Sequence, residues 1–267
     1  MTTKKMVFVD TSLCTGCKGC SVACKAWNDL PAEKTQLVTS YQSQKDFTPT
    51  TWTYITFTEK YENGKMNWLM RKAQCYHCAE PACMKACPVG AISQTESGYV
   101  LIDQNKCIGC GYCASNCPWG VPKTDKLQDK TYKCTGCIDR VENGLLPACV
   151  HTCQPGALHF GEREAMLNTA KARLAEVKKE NPKAQLYGDT LMGGTTYVYL
   201  LLDTPETYGL PANPTVPASL SLWKDIVQPY AGWLIPLAAA GAVGSFFSTR
   251  LINIMNSKSK GGNTHGH

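Results

Sequence analysis

Sixteen cysteines stand in this 267-residue sequence, and all fall into four groups of four. Cys107, Cys110, Cys113 and Cys117 follow the spacing Cys-x2-Cys-x2-Cys-x3-Cys, and Pro118 comes next. Three thiolates two residues apart can wrap one iron–sulfur cube, while the fourth points away and ligates a different cube. Cys14, Cys17, Cys20 and Cys24 repeat that spacing; Cys75, Cys78, Cys83 and Cys87 stretch the middle gap by two residues and are followed by Pro88. Cys134, Cys137, Cys149 and Cys153 open the middle gap to eleven residues. Structural zinc also uses Cys-x2-Cys pairs, but zinc does not explain triples with a trailing Cys-Pro. A disulfide framework is disfavoured too, since 16 cysteines in 267 residues is below the density of small stapled domains. The chemistry these spacings carry is one-electron transfer.

Other residues repeat with the cysteines. Gly90, Gly120 and Gly156 each lie three residues past the last cysteine of a group. Glycine there lets the backbone turn sharply beside a cube and aim N–H groups at sulfur. Trp27, three residues past Cys24, can shield a cube from water and so tune its potential. His77 lies between Cys75 and Cys78, but four cysteines already complete each group. It is read, like His151 and His159, as a hydrogen-bonding or surface histidine. Two complete motifs make one two-cluster unit, each lending its last cysteine to the other. The second and third groups are near neighbours and form one such unit; the first and fourth pair across it.

The elements that must hold these loops are legible in part. Val7-Phe8-Val9-Asp10 and Val100-Leu101-Ile102-Asp103 each end four residues before a cysteine group, an internal repeat of strand plus loop. Residues 51–72 read as a β-hairpin: Trp52–Thr58, an Asn63-Gly64 turn, then Met66–Lys72. Residues 37–50 are polar and uninformative. Met166, Ala170, Leu174 and Val177 predict an amphipathic helix between Glu162 and Lys183, ended by Pro182. Residues 195–202 read as a strand, and Pro205–Pro217, with four prolines, as an extended surface segment.

Residues 231–247 carry no charge, and with Tyr230 and Ser248-Thr249 approach the ~20 residues that span a bilayer. Trp223, Tyr230 and Trp233 suggest an interfacial belt. Arg250, Lys258 and Lys260 beyond the stretch put the C-terminus in the cytoplasm and the cysteine-bearing part in the periplasm, a single-pass arrangement. The start, MTTKKMVFVD, has no apolar h-region, which predicts no secretory signal of its own and export with a partner that carries one. The stretch has no histidine or methionine placed for haem.

The formal charge of +6 suggests nucleic-acid binding at first sight. Four clusters with their thiolates add about −8, so the loaded chain is near −2 and no nucleic-acid partner is expected. No nucleophile, acid–base pair or phosphate loop stands out.

The expected fold is α+β: tandem pseudo-symmetric bacterial-ferredoxin-like units with a β-hairpin insertion, then one C-terminal transmembrane helix. Its parts are 1–74 with 118–160 for the first and fourth groups, 75–117 for the second and third, 161–222 packed on them, a membrane helix 223–256, and a cytoplasmic tail 257–267.

The four cysteine groups, Ala26-Trp27-Asn28, the hairpin insertion, the stretch GGTTYVYLLLDTPETYGLP and the terminal helix resemble the iron–sulfur β subunit of membrane-bound respiratory formate dehydrogenases. That family sits among the four-cluster subunits of molybdenum and tungsten oxidoreductases, and the resemblance covers roughly residues 4–255. It implies four [4Fe–4S] clusters. Cys14, Cys17, Cys20 and Cys153 hold the one nearest the catalytic subunit. Cys24, Cys134, Cys137 and Cys149 hold the second, and Cys75, Cys78, Cys83 and Cys117 the third. Cys87, Cys107, Cys110 and Cys113 hold the last. Cys110 is present where nitrate reductase relatives lack a ligand and carry a three-iron cluster. The resemblance also implies a non-catalytic role, relaying electrons from a molybdopterin-type α subunit that oxidises formate to a membrane cytochrome b-type γ subunit in the lipid bilayer. The equivalent subunit of a membrane-bound hydrogenase or a sulfur-compound reductase is the alternative.

Overall fold

The computed structural model describes residues 4–260 except 40 and 63, without side-chain detail at 231, 233–235, 237 and 256–260. Asn63 of the expected turn and residues 261–267 of the expected tail lie outside the described residues. The chain divides into two compact units, one ending at Pro217 and one beginning at Ala218.

In the first unit, short strands bracket the cysteine groups. Strand β1 (Lys5–Asp10) delivers the chain to Cys14, and helix α1 (Gly19–Trp27) carries Cys20 and Cys24. The hairpin β2 (Tyr54–Glu62) and β3 (Lys65–Ala73) follows, in register from Tyr54↔Ala73 to Glu62↔Lys65, and leads into Cys75. Next come α2 (Ala82–Ala86), β4 (Ile92–Gln94), β5 (Val100–Ile102) and α3 (Tyr112–Ser115). The chain goes on through β6 (Lys123–Asp125), β7 (Lys130–Tyr132), α4 (Ile138–Glu142) and α5 (Ala148–His151). It closes with β8 (Leu158–Glu162), α6 (Arg163–Glu180), β9 (Gln185–Tyr187) and β10 (Tyr197–Leu201). One rule orders the small sheets. The strand leaving one cysteine group pairs antiparallel with the strand entering the next: β4 with β5, β6 with β7, and β8 with β1, which closes the circuit.

The repeat around Asp10 and Asp103 extends to hydrogen bonds. The Asp10 N–H donates to the Ala157 carbonyl and the Asp103 N–H to that of Ala91, both at 2.8 Å. Each Oδ1 accepts the N–H two residues on, from Ser12 and Asn105, both at 2.9 Å. Each aspartate thus fixes the turn that opens a cysteine loop.

The largest sheet has the order β8-β1-β10-β9, with β1 parallel to β10 and the other pairs antiparallel. Strand alternation divides it into two faces. Met6, Phe8, Val198 and Leu200 pack against Ala170, Met166, Leu174 and Val177 of α6, the predicted amphipathic helix. Val7, Val9, Tyr197, Tyr199 and Leu201 face the other way, into a core with Cys20, Cys149, Tyr76 and Tyr99. The parallel pairing of β1 with β10 was not visible in the sequence, because its partners are 190 residues apart (Val7↔Tyr197).

Two segments depart from expectation. Phe47, in the stretch read as uninformative, is buried against Tyr54, and Glu33 accepts the hydroxyls of Thr48, Thr50 and Thr51. Pro205–Tyr208 forms a 3-10 turn that buries Pro205 and Tyr208, rather than an extended run; the Tyr208 hydroxyl accepts the Leu202 N–H at 3.2 Å and locks the turn to the end of β10.

Asp10 is 1 % exposed, and the Arg173 guanidinium of α6 donates to its Oδ2 at 2.8 Å. Arg173→Ala leaves that carboxylate buried with only Ser12 as partner. A loss of about 2–4 kcal/mol is expected, the low end reflecting the partial exposure of Arg173. Denaturant unfolding of the loaded chain measures it, and Arg173→Lys should recover part.

The second unit is one helical run: α7 (Ala218–Ser221), a π-type stretch Leu222–Val227 and α8 (Gln228–Lys260), with Pro236 inside it. Its described side chains are mostly exposed. Among the described residues, no helix is long and apolar enough to cross a membrane.

Candidate metal centres

The backbone first positions the thiols. The second residue after the opening cysteine of each group has a left-handed φ: Gly16 at 66°, His77 at 47°, Gly109 at 64° and Gly136 at 69°. That kink turns an N–H back onto sulfur. The His77 N–H donates to Cys75 Sγ at 3.5 Å and the Gly136 N–H to Cys134 Sγ at 3.3 Å. Past the closing cysteines, Gly90, Gly120 and Gly156 have φ of 62°, 61° and 67°. A Cβ there meets nothing within 4 Å, so the backbone angle rather than space calls for glycine. Behind Gly90 the Ala91 N–H donates to Cys87 Sγ at 3.2 Å. The first group lacks such a glycine. There α1 runs on, and the Asn28 amide donates to the Cys24 carbonyl at 2.8 Å with Cys24 Sγ at 3.8 Å.

The fold then gathers thiols distant in sequence. Cys14, Cys17, Cys20 and Cys153 line one cavity with Val9, Ile55, Lys72 and Leu158. Cys87, Cys107, Cys110 and Cys113 line another with Ala91, Ile92, Ile102 and Ile108. Cys24 faces Cys134, Cys149 and Cys137, and Cys78 faces Cys75, Cys83 and Cys117. The cages adjoin in a line: Cys20 feels Cys149, Cys134 feels Cys75, and Cys83 feels Cys113. Only Cys17 and Cys110, at its two ends, are exposed.

Burial pushes the thiols up, Cys20 and Cys134 to about 11 and Cys83 and Cys137 to about 12. A thiol in such a setting ionises only against a metal, and binding therefore releases protons. Among the described residues no three His, Cys, Asp or Glu side chains converge tightly enough for a single metal ion. One tetrahedral zinc at ~2.3 Å draws its sulfurs within about 4 Å of each other, whereas a cubane gives each thiolate its own corner iron. The donor set, all sulfur in apolar pockets with N–H groups aimed at it, suits iron–sulfur clusters.

Trp27 is half-exposed. Its indole N–H donates to Asp139 Oδ2 at 2.8 Å, and the Arg140 guanidinium lies 4.2 Å over its ring. It staples α1 to α4 beside Cys24 and Cys137. His77 is buried, not at the surface: its Nδ1 accepts the Val100 N–H at 2.9 Å, tying the second group to the strand entering the third. Burial, with Lys133 and Lys72 nearby, holds it well below the ordinary histidine range, hence neutral. His159 stacks on Phe8 with centroids 5.6 Å apart, and His151 is exposed.

Sequence reading missed two buried lysines. Lys72 lines the first cavity and is 2 % exposed. Burial opposes its charge, but Cys149, Cys20 and Cys134 outweigh that and raise it above the ordinary lysine range. Lys133 donates to the carbonyls of Val100 and Cys134 and lies against Cys75. Strand alternation gives no signal for Lys72, because both faces of β3 are buried at its Arg71–Ala73 end.

Strands alternating with four-thiol cages, each closing cysteine turned toward another group, define an iron–sulfur protein of ferredoxin-like build. The chain matches two families, each described as a 4Fe-4S dicluster domain, one over residues 13–91 and the other over residues 66–163. It is 45 % identical to the nitrate-inducible formate dehydrogenase iron–sulfur subunit of Escherichia coli (strain K12), over 89 % of this chain and 80 % of that one. It is 44 % identical to the formate dehydrogenase iron–sulfur subunit of Haemophilus influenzae, over 84 % and 73 %. The B component of anaerobic dimethyl sulfoxide reductase from Escherichia coli is 38 % identical, over 60 % and 75 %. The chain belongs to the iron–sulfur subunits of formate dehydrogenases. It is an electron-transfer subunit of an oxidoreductase complex, not the catalytic one.

Proposed function

We propose that this chain holds four [4Fe–4S] clusters and relays electrons from a molybdenum- or tungsten-pterin subunit oxidising formate to a cytochrome b-type membrane subunit. The ligand sets are Cys14, Cys17, Cys20 and Cys153; Cys24, Cys134, Cys137 and Cys149; Cys75, Cys78, Cys83 and Cys117; and Cys87, Cys107, Cys110 and Cys113. Each cluster, when bound, accepts and returns one electron at a time. The observation that carries the reading is the line of four cages with an exposed thiol at each end, Cys17 and Cys110, while the inner cages hold only buried or half-buried thiols. A relay needs accessible ends and a dry interior. Electrons enter beside Cys17 and leave beside Cys110, where Ile108, Tyr112 and Val89 offer an apolar docking surface.

The terminal helix is the membrane-binding element, with the cluster unit on the periplasmic side. Support comes from the 33-residue length of α8 and the charge-free stretch 231–247. In the sequence, Leu234, Ile235 and Leu237 carry much of that stretch's apolar character. The ferredoxin-like halves are 1–74 with 118–160, and 75–117. The test is iron analysis with low-temperature EPR of the reduced, fully loaded chain: about sixteen irons and several interacting spin-½ signals are expected. Far fewer irons, or no paramagnetic signal, sinks the reading.

A further inference from the structure

Several buried polar atoms have no hydrogen-bond partner among the described residues. Arg71, Gln74 and Tyr76 line one polar cavity and His77 another, where water can serve them. Tyr99 and Tyr197 differ: both are essentially unexposed, with unpartnered hydroxyls. Both rings share a core with Cys149, and the Tyr99 ring packs so closely on Gly136, inside the Cys134–Cys137 loop, that a Cβ there would strike it. Both phenols lie within reach of the charges of Cys134, Cys149 and Cys137, and Tyr197 also of Tyr99. Lys72 Nζ lies 5.6 Å over the Tyr197 ring, on the border between this cage and the one lined by Cys14 and Cys20.

We propose that the Tyr99 and Tyr197 hydroxyls and the Lys72 ammonium donate hydrogen bonds and positive charge to the cluster held by Cys24, Cys134, Cys137 and Cys149, and so keep a fully enclosed cage reducible. The inference rests on the ligand sets proposed above. An added electron makes a buried cluster more negative, which a low-dielectric pocket opposes. Donors fixed toward the sulfurs, and a buried cation beside them, stabilise that added charge and raise the potential. The other cages are served mainly by backbone N–H groups, with a Ser21 hydroxyl on Cys20, Lys133 against Cys75 and a Thr131 hydroxyl on Cys113. The inner cage next to Lys72 thus receives the most side-chain donors, offsetting what its burial costs.

The test is an EPR-monitored redox titration of the full, cluster-loaded chain with dithionite as one-electron donor, no bond or proton changing hands. Tyr99→Phe and Tyr197→Phe keep the rings and remove one donor each. Each is expected to lower the reduction equilibrium constant of one and the same signal about tenfold, or about 59 mV for a one-electron couple. Lys72→Met should lower that signal and the signal lost in Cys14→Ser, with Lys72→Arg restoring both. If iron stays near sixteen per chain and neither phenylalanine variant moves a midpoint, or the two move different signals, the inference is overturned. Low iron in the unsubstituted chain instead overturns the proposed function, and the inference with it.

Discussion

Serine in place of Cys153 is expected to abolish the paramagnetic signal that Cys14→Ser, Cys17→Ser and Cys20→Ser also abolish, and to spare the one lost in Cys137→Ser. Sequence proximity suggests the opposite, since Cys149 stands four residues before Cys153 and Cys137 only twelve before that. The fold separates them. Helix α5, Ala148–His151, turns Cys149 toward Cys24, Cys134 and Cys137, whereas Cys153 emerges beyond it in the cavity of Cys14, Cys17 and Cys20. Strand β8 then returns to pair with β1, which holds Cys153 beside the first group whatever the cluster does. Iron is expected to fall from about sixteen to about twelve per chain. Electron transfer into the chain should fall by more than the ~10–100-fold that losing an outer-shell partner costs a metal site, because an end of the relay is removed. If Cys153→Ser and Cys137→Ser extinguish the same signal, the exchange of closing cysteines is wrong.

What could be seen in advance follows from how local each interaction is. Thiol spacing was legible because a cube imposes its geometry within ten residues, and the Asp10 and Asp103 repeat because each serves one turn. The nine-residue strands of β2–β3 and the eighteen-residue α6 were long enough to show their period. β4, β6 and β7, three residues each, have no period to read, and β5, equally short, was legible only as a repeat of β1. Their existence comes from the cysteine loops they join. His77, read as a hydrogen-bonding or surface histidine, occupies the left-handed site that Gly16, Gly109 and Gly136 fill in the other groups. Lys72 and the two tyrosines were opaque for another reason. A buried ammonium and a buried unpartnered hydroxyl look unfavourable from sequence; the thiols of Cys149, Cys20 and Cys134 offset the burial of Lys72, and the partner proposed for the two hydroxyls is the cluster of Cys24, Cys134, Cys137 and Cys149.

A chain ending at Pro217 is expected to keep all of its iron and its unfolding midpoint, and to lose its affinity for lipid vesicles. The described hydrophobic clusters of the cysteine-bearing unit are built from residues before 217, and that unit is compact by itself. Retention of a few irons fewer, or a drop of several degrees in midpoint, contradicts that independence. For the helix itself, magnitudes decide the form of the result. Leu234, Ile235, Leu237, Val243, Phe246 and Phe247 favour the bilayer centre by about 0.3–0.6 kcal/mol each, or about 2–4 kcal/mol together. With Pro236 and the glycines opposing it, binding exceeds that of a chain without the helix by at most on the order of 100-fold. That is a marginal preference, in keeping with a helix not apolar enough on its described residues to cross a membrane. Such a segment inserts securely only beside other helices, and Ala238, Ala239, Ala240, Gly241 and Gly244 leave the room for a close neighbour. The full chain alone should therefore bind vesicles weakly, and co-expression with a cytochrome b-type partner should make membrane association resistant to high salt. Salt-sensitive association in both cases points to surface charge in place of insertion.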